Sequence, residues 1–353
     1  MARLRSRPAF LAALAVLGAA LPLSLLAAVS LGTTSLPPGQ VYTVLRHELA
    51  HCLAGVPIPE GWGPGTPLHD VVWLIRLPRL VLAAAVGTCL ALSGAVMQAI
   101  VQNPLADPYV LGISSGASLG ASLALLLGIG GGFVGGMAFA GALGACGAVM
   151  FLAGLGGRPN TVKLLLAGSA LAAVCGAFSN FLIYQADADH AASQVARWTM
   201  GSMAAASWPS NGVLVPAALA GAVFFLTQSR TLDRMLLGDD AAITLGTDLH
   251  RLRMIYLAVS ALLTGLAVWA AGIIGFVGLV APHVVRILFG AGHRRLIPLT
   301  ALTGGLFLLW ADVLCRVVLP GNELPVGILT SMLGAPVFLC LMARSRYGFG
   351  GNA

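Results

Sequence analysis

The stretch RLPRLVLAAAVGTCLALSGAVMQAIVQNPLADPYVLGISSGASLGA, residues 76–121, decides the fold. Between Arg79 and Asp107 no charged residue interrupts it. That run is long enough to cross the hydrocarbon core of a bilayer, which takes about 20 residues of helix. Asn103-Pro104 breaks the helix, and Asp107-Pro108 opens the next one with a capping residue ahead of proline. A short polar turn between two such helices reads as a gate.

Composition agrees with a membrane chain. Hydrophobic residues make up 58% of the 353 and charged ones only 9%, where a soluble domain carries roughly 25%. A formal charge of +7 raises the case for a nucleic-acid partner. Orientation explains it better, because arginine gathers in cytoplasmic loops, and no nucleic-acid partner is expected. The six cysteines show no CxxC pair, and five lie in apolar runs. They read as small packing residues, not as a disulfide framework or a zinc site.

Ten spans follow from hydropathy: 10–31, 74–100, 108–128, 132–155, 162–184, 211–229, 252–271, 273–290, 296–315 and 326–343. The first follows Arg3, Arg5 and Arg7 but is longer than a signal-peptide core, so it stays as a span. With both termini in the cytoplasm, fourteen of the 19 Arg and Lys residues fall inside. The exceptions outside are Arg46, Arg76, Arg79, Arg197 and Arg316. The expected architecture is all-α and integral to the membrane, one permease domain over residues 1–353. Spans 2–5 and 7–10 run in opposite senses, which fits an inverted internal repeat. Residues 32–72 form a Pro- and Gly-rich outside segment, and residues 230–251 a charged inside loop.

Glycines recur at helical spacing at 112, 116 and 120, at 141, 144 and 147, and at 272, 275 and 278. Tight helix packing is the expected use. A relay of buried carboxylates is not visible; Asp312, near a helix end, is the main ionisable candidate.

Three blocks in order, residues 76–121, GFVGLVAPHVVR at 275–286 and ADVLCRVVLPGNELPVGILTSMLGAPVF at 311–338, strongly resemble permeases of the FecCD type. Those subunits of ABC importers take up ferric siderophores, haem and cobalamin. The resemblance implies a cytoplasmic gate at Asn103 and Leu105, with Asn160 and Thr161 as a second. It also implies that Arg76, Arg79 and Arg316 meet glutamates on a periplasmic substrate-binding protein, a use that suits the planar guanidinium fork. Asp240-Ala241-Ala242-Ile243-Thr244-Leu245-Gly246 resembles the EAA-x-x-x-G coupling loop, with Asp for Glu, and implies docking on an ATPase dimer. No phosphate-binding loop of the G-x-x-x-x-G-K-[ST] type exists, so the chain itself is not expected to be an enzyme. ATP and Mg would sit on the partner ATPase. A second permease copy in the inner membrane is expected, by default an identical one. Among cargoes a ferric siderophore comes first, then haem or cobalamin.

Two rival classes remain. His47-Glu48-Leu49-Ala50-His51 fits the HExxH pattern of a zinc metalloprotease, with His69 and Asp70 as possible further ligands. It lies outside every block of the resemblance, so no metal site is expected there. An ion-coupled secondary transporter would share the many-helix build, but the acidic coupling residues it needs are nearly absent.

Overall fold

One helix, α3, runs through the middle of the protein, and the other spans are laid against it. The structure is a computed structural model that describes residues 6–32, 34–129, 133–155, 161–186, 188–236, 249–319 and 321–344. Thirteen helices follow in order among them: α1 (Arg7–Val29), α2 (Pro38–Ala54), α3 (Pro67–Val101), α4 (Ile113–Leu126), α5 (Phe133–Gly154), α6 (Thr161–Gln185), α7 (Ala188–Thr199), α8 (Trp208–Thr227), α9 (Ser229–Met235), α10 (Leu249–Ala271), α11 (Val277–Phe289), α12 (His293–Val317) and α13 (Val326–Arg344). No strand occurs among the described residues. Seven helices are long and apolar enough to cross a membrane, and α4, α11 and α13 supply shorter apolar ones. Together these are the ten segments that hydropathy marked.

Three boundaries differ from the expectation, each for a local reason. The outside segment is not irregular throughout, because Pro38 at the first turn and left-handed Gly55 after the last bracket the helix α2. Val41 and Val44 on α2 bury themselves against Ala28, Val29, Val72 and Leu309. The span expected at 108–128 begins as a 3-10 turn, Pro108–Leu111, and becomes α4 only after left-handed Gly112. The span expected at 273–290 is shorter too, since residues 272–276 are irregular before α11.

The first turns of α3 are π-wound over Asp70–Arg76, just ahead of Pro78. In that winding the carbonyl of Trp73 would accept from residue 78, but proline has no N–H to give. The indole Nε1–H of Trp208 donates to it instead, at 3.0 Å. Buried Asn211, also on α8, donates to the Pro78 carbonyl at 2.9 Å. In hydrocarbon an unsatisfied carbonyl costs several kcal/mol, so α8 is tied to α3 by that need.

Glycine seams set the helix separations. A methyl group on Gly94 would run into the backbone of Gly278 on α11, and one on Gly87 into the carbonyl of Gly304 on α12. Gly116 and Gly141 face each other in the same way across α4 and α5. The spaced glycines therefore do pack helices, though Gly144 and Gly147 face open space.

Two chain breaks correspond. Long α3 gives way to short α4 through Gln102, and long α10 gives way to short α11 through Phe276. These are the two non-glycine residues with positive φ among those described, at 54° and 67°. The breaks also touch: the Tyr109 hydroxyl donates to the Ile274 carbonyl at 3.2 Å and accepts from the Ile274 N–H at 3.3 Å. The order of a long, a short and a long helix thus occurs twice, in α3–α5 and α10–α12, each followed by one more apolar helix, α6 or α13.

Gly94→Ala is expected to lower the thermal midpoint of the purified protein in detergent by the equivalent of about 1–3 kcal/mol, the usual range for an overpacked core. Gly147→Ala, with nothing near its Cβ, is expected to leave the midpoint unchanged.

Candidate functional site

The charged and polar side chains that the bundle spends on itself collect at its two ends. At the α2 end, Arg76, Arg79 and Arg316 are all buried, with relative exposures of 5%, 6% and 4%. A buried guanidinium needs acceptors for a fork of five N–H donors. Asp312, one turn before Arg316 on α12 and wholly buried, supplies acceptors to two of the three. Arg79 Nε donates to its two oxygens at 3.0 and 3.2 Å, and Arg316 Nε pairs with Oδ2 at 3.1 Å. Arg79 Nη1 goes on to Glu323 at 2.8 Å, and the Glu323 side chain is 40% exposed.

Arg76 has no carboxylate. Its Nη1 donates to the carbonyls of Val29 and Ser30 at 3.1 and 3.0 Å, where α1 ends and carbonyls lack helical partners. Its Nη2 reaches Thr34. Glycine at 32 leaves room for the head, since a Cβ there would lie 3.0 Å from the guanidinium carbon. Arg316 Nη1 donates to the neighbouring carbonyl of Leu31 at 3.1 Å. The expectation that these three arginines hold their forks out to a partner's carboxylates therefore does not describe their placement. They staple α1, α3 and α12 together.

The HExxH residues are spread over different tasks. Glu48 turns into the bundle, is 5% exposed and pairs with Nε2 of buried His69, whose Nδ1 lies 3.0 Å from Asp70. His47 packs its ring on Trp62 at 6.2 Å, and His51 Nδ1 meets the Val56 carbonyl at 3.0 Å. No three His, Cys, Asp or Glu side chains are grouped to hold a metal ion among the described residues. The motif closes α2 onto α3.

The opposite end holds the turn after α3. Asn103 is exposed and Leu105 half-buried. The Asn103 side-chain oxygen accepts from the Leu105 N–H at 2.9 Å, and its carbonyl from the Ala106 N–H at 3.0 Å, which fixes the Asn-Pro turn. Asp107 caps the following 3-10 turn through the Tyr109 N–H at 2.8 Å. Thr161 opens α6 and is half-buried. Asn160, Asp240, Ala241, Ala242 and Gly246 lie outside the described residues.

Sequence reasoning missed the side chains that connect this turn to its surroundings. Gln98 sits in the last turn of α3 and Gln102 caps its C-terminal end. Gln98 accepts from Arg286 Nη2 at 2.8 Å and donates to the Gly278 carbonyl at 3.4 Å, both on α11. Gln102 donates to the carbonyl of Met235 at 3.2 Å, the last residue of α9. On α9, Asp233 accepts from the His293 N–H at 2.8 Å and sits 2.7 Å from His293 Nδ1, so it ties α9 to the first turn of α12. A signal was present for the α2 end: after Asp248 the chain has only two acidic residues, Asp312 and Glu323. An acid inside an apolar helix is placed there only with a partner.

Asp312→Asn is expected to destabilise the detergent-purified protein by about 3–5 kcal/mol, because Arg79 and Arg316 stay buried without their shared counter-charge. Glu323→Gln removes a half-exposed partner and is expected to cost under about 1 kcal/mol. Thermal unfolding of the two variants side by side measures the difference.

Known proteins carry the same frame. The model of the FecCD transport family matches residues 20–344. The hemin transport system permease protein HmuU of Yersinia pestis is 44% identical over 297 residues, 80% of this chain and 86% of that one. The cobalamin import system permease protein BtuC of Halobacterium salinarum is 38% identical over 321 residues, 87% of this chain and 85% of that one. A solved metal-chelate type ABC transporter in an inward-facing conformation matches with a TM-score of 0.79 at 29% identity, covering 94% of this chain and 99% of that chain. With a match that takes in the central helix, both chain breaks and the charged staple, the chain belongs to the FecCD transport family.

Proposed function

We propose that the chain is the membrane-spanning permease of an ATP-driven importer of metal chelates, with haem as first choice of cargo and cobalamin as second. The observation that carries this reading is the 44% identity to a hemin permease over four-fifths of the chain. The relative at 38% imports cobalamin, so a flat, metal-centred macrocycle is the common chemistry. It displaces the ferric siderophore as first choice.

Orientation follows from charge. The α2 end faces the periplasm and the α9 end the cytoplasm. Three of the five basic residues that break the positive-inside bias are Arg76, Arg79 and Arg316, and these are buried and bonded within the chain. They serve packing, so the exposed residues follow the rule more closely than the raw count. The termini then lie in the cytoplasm of a bacterial inner membrane.

Two copies of the chain enclose the pathway between them. The outward face of α6 is the candidate lining, for it carries exposed Ser169 and Asn180 among Ala170, Ala173 and Ala177, beside exposed Val162, Leu166 and Tyr184. A substrate-binding protein delivers the chelate to the α2 end, on the platform that the arginine staple holds rigid.

The ATPase dimer binds ATP and Mg and docks where α9 leads into residues 237–248, the stretch that contains Asp240 to Gly246. Movement there pulls on Met235, and through its bond to Gln102 on the turn at Asn103 and Leu105. That turn opens and closes the cytoplasmic mouth. Neither the HExxH pattern nor a carboxylate relay supplies a competing mechanism: Glu48 and Asp312 are both engaged in buried pairs.

The test is reconstitution of the chain in liposomes with its cognate ATPase and binding protein. Haemin uptake that requires ATP and the binding protein is expected, exceeding cyanocobalamin and ferric siderophore uptake. ATP-dependent uptake of another chelate would correct the cargo. Uptake of none of them, with all partners assembled, would contradict the importer reading.

A further inference from the structure

The α9 end carries a feature that transport does not use. Arg7 on the first turn of α1 and Arg294 and Arg295 on the first turn of α12 line one cavity of about 380 Å³, together with Phe10 and Leu11. Arg295 lies over the Phe10 ring, 5.9 Å from its centroid. Asp233, the acidic side chain bonded at the start of α12, accepts from His293. The two helices begin here, so their positive dipole ends add to the potential of three guanidinium groups. The site suits an anion, and its walls of Phe10 and Leu11 are apolar.

A second observation on the same two helices says what kind of anion. Farther along the same helices, α1, α12 and α13 form an almost wholly apolar surface groove of about 430 Å³. Leu17 and Thr303 stand at its near end and Trp310 and Leu314 farther along. At about 1.5 Å per residue of helix, Thr303 lies roughly 12 Å from Arg295 along α12. A polar basket at the membrane surface with an apolar seam beneath it matches a headgroup followed by an acyl chain.

We infer that the α1–α12 seam is a binding site for an anionic phospholipid, its phosphate held by Arg7, Arg294 and Arg295 and one chain lying along the seam toward Leu17 and Thr303. Basic pockets between spanning helices recognise lipid headgroups by this chemistry. The bound lipid would fasten peripheral α1, most of whose surface faces outward, to α12.

Native mass spectrometry of the delipidated full chain, titrated with phosphatidylglycerol or phosphatidylcholine, tests this. Phosphatidylglycerol is expected to be retained about tenfold better, a preference lost in Arg7→Gln/Arg294→Gln and kept in Arg230→Gln, an exposed arginine apart from the cavity. Leu306→Trp, which fills the groove and leaves the basket intact, is expected to weaken retention as well. Each variant is first checked for a single monodisperse peak. Equal retention of the two lipids, equal loss in Arg230→Gln, or full competition by inorganic phosphate alone would overturn the assignment, the last by reducing it to a free-anion site.

Discussion

A bilayer solvates neither a backbone carbonyl nor a charge, and the structure is organised by that refusal. The central helix α3 is the clearest case. Its proline removes a donor, and an indole on α8 replaces it. Its Arg79 is a charge in the wrong solvent, and an aspartate 233 residues away on α12 neutralises it. Its glycines let neighbouring backbones come close enough for dispersion to hold the bundle where no hydrophobic force acts between helices. What surrounds α3 is what α3 needs.

The same constraint sorts rigid parts from parts free to move. At the α2 end Arg79 and Arg316 share buried Asp312, and Arg76 and Arg316 bond carbonyls at the end of α1 and just beyond it, so a shift of one helix would strand the others' charges. At the α9 end the turn after α3 is held by side-chain amides, Gln98 with two bonds to α11 and Gln102 with one to α9, near exposed Asn103. Such bonds are worth about 1–3 kcal/mol each and can exchange at modest cost. Tyr109 and Ile274 join the two chain breaks in the middle, so a movement of the turn after α3 reaches the segment before α11. A firm platform at one end and an exchangeable linkage at the other suit a permease that receives cargo on one side and is driven from the other.

Much of this was legible in the sequence, because hydropathy over about 20 residues is a strong signal and the three ordered blocks are long. The ten segments and the glycine seams follow from it. The helix at Pro38–Ala54 did not, since its Pro- and Gly-rich flanks read as an irregular loop while they cap a helix. The arginines were legible by position, but their bonding within the chain was not. Arg76, Arg79 and Arg316 stand out as arginines on the wrong side, but the partners that explain them, carbonyls 42–47 residues away and Asp312, are set by tertiary packing. The HExxH match is similar: five residues define the pattern, and only the approach of His69 shows that Glu48 is a packing residue. Gln102 gave no signal, because a left-handed glutamine after a helix looks like any other turn residue.

The central claim is that the turn at Asn103–Leu105 is a gate shared by two copies and moved from the ATPase side. Spin labels at position 105, in a chain with exposed Cys52 and Cys340 replaced by serine, report the distance between the copies directly. In the assembled transporter the distance distribution is predicted to shift between the nucleotide-free and the vanadate-trapped ATP states. An unchanged distribution in both states, or no dipolar signal between copies, would contradict the account.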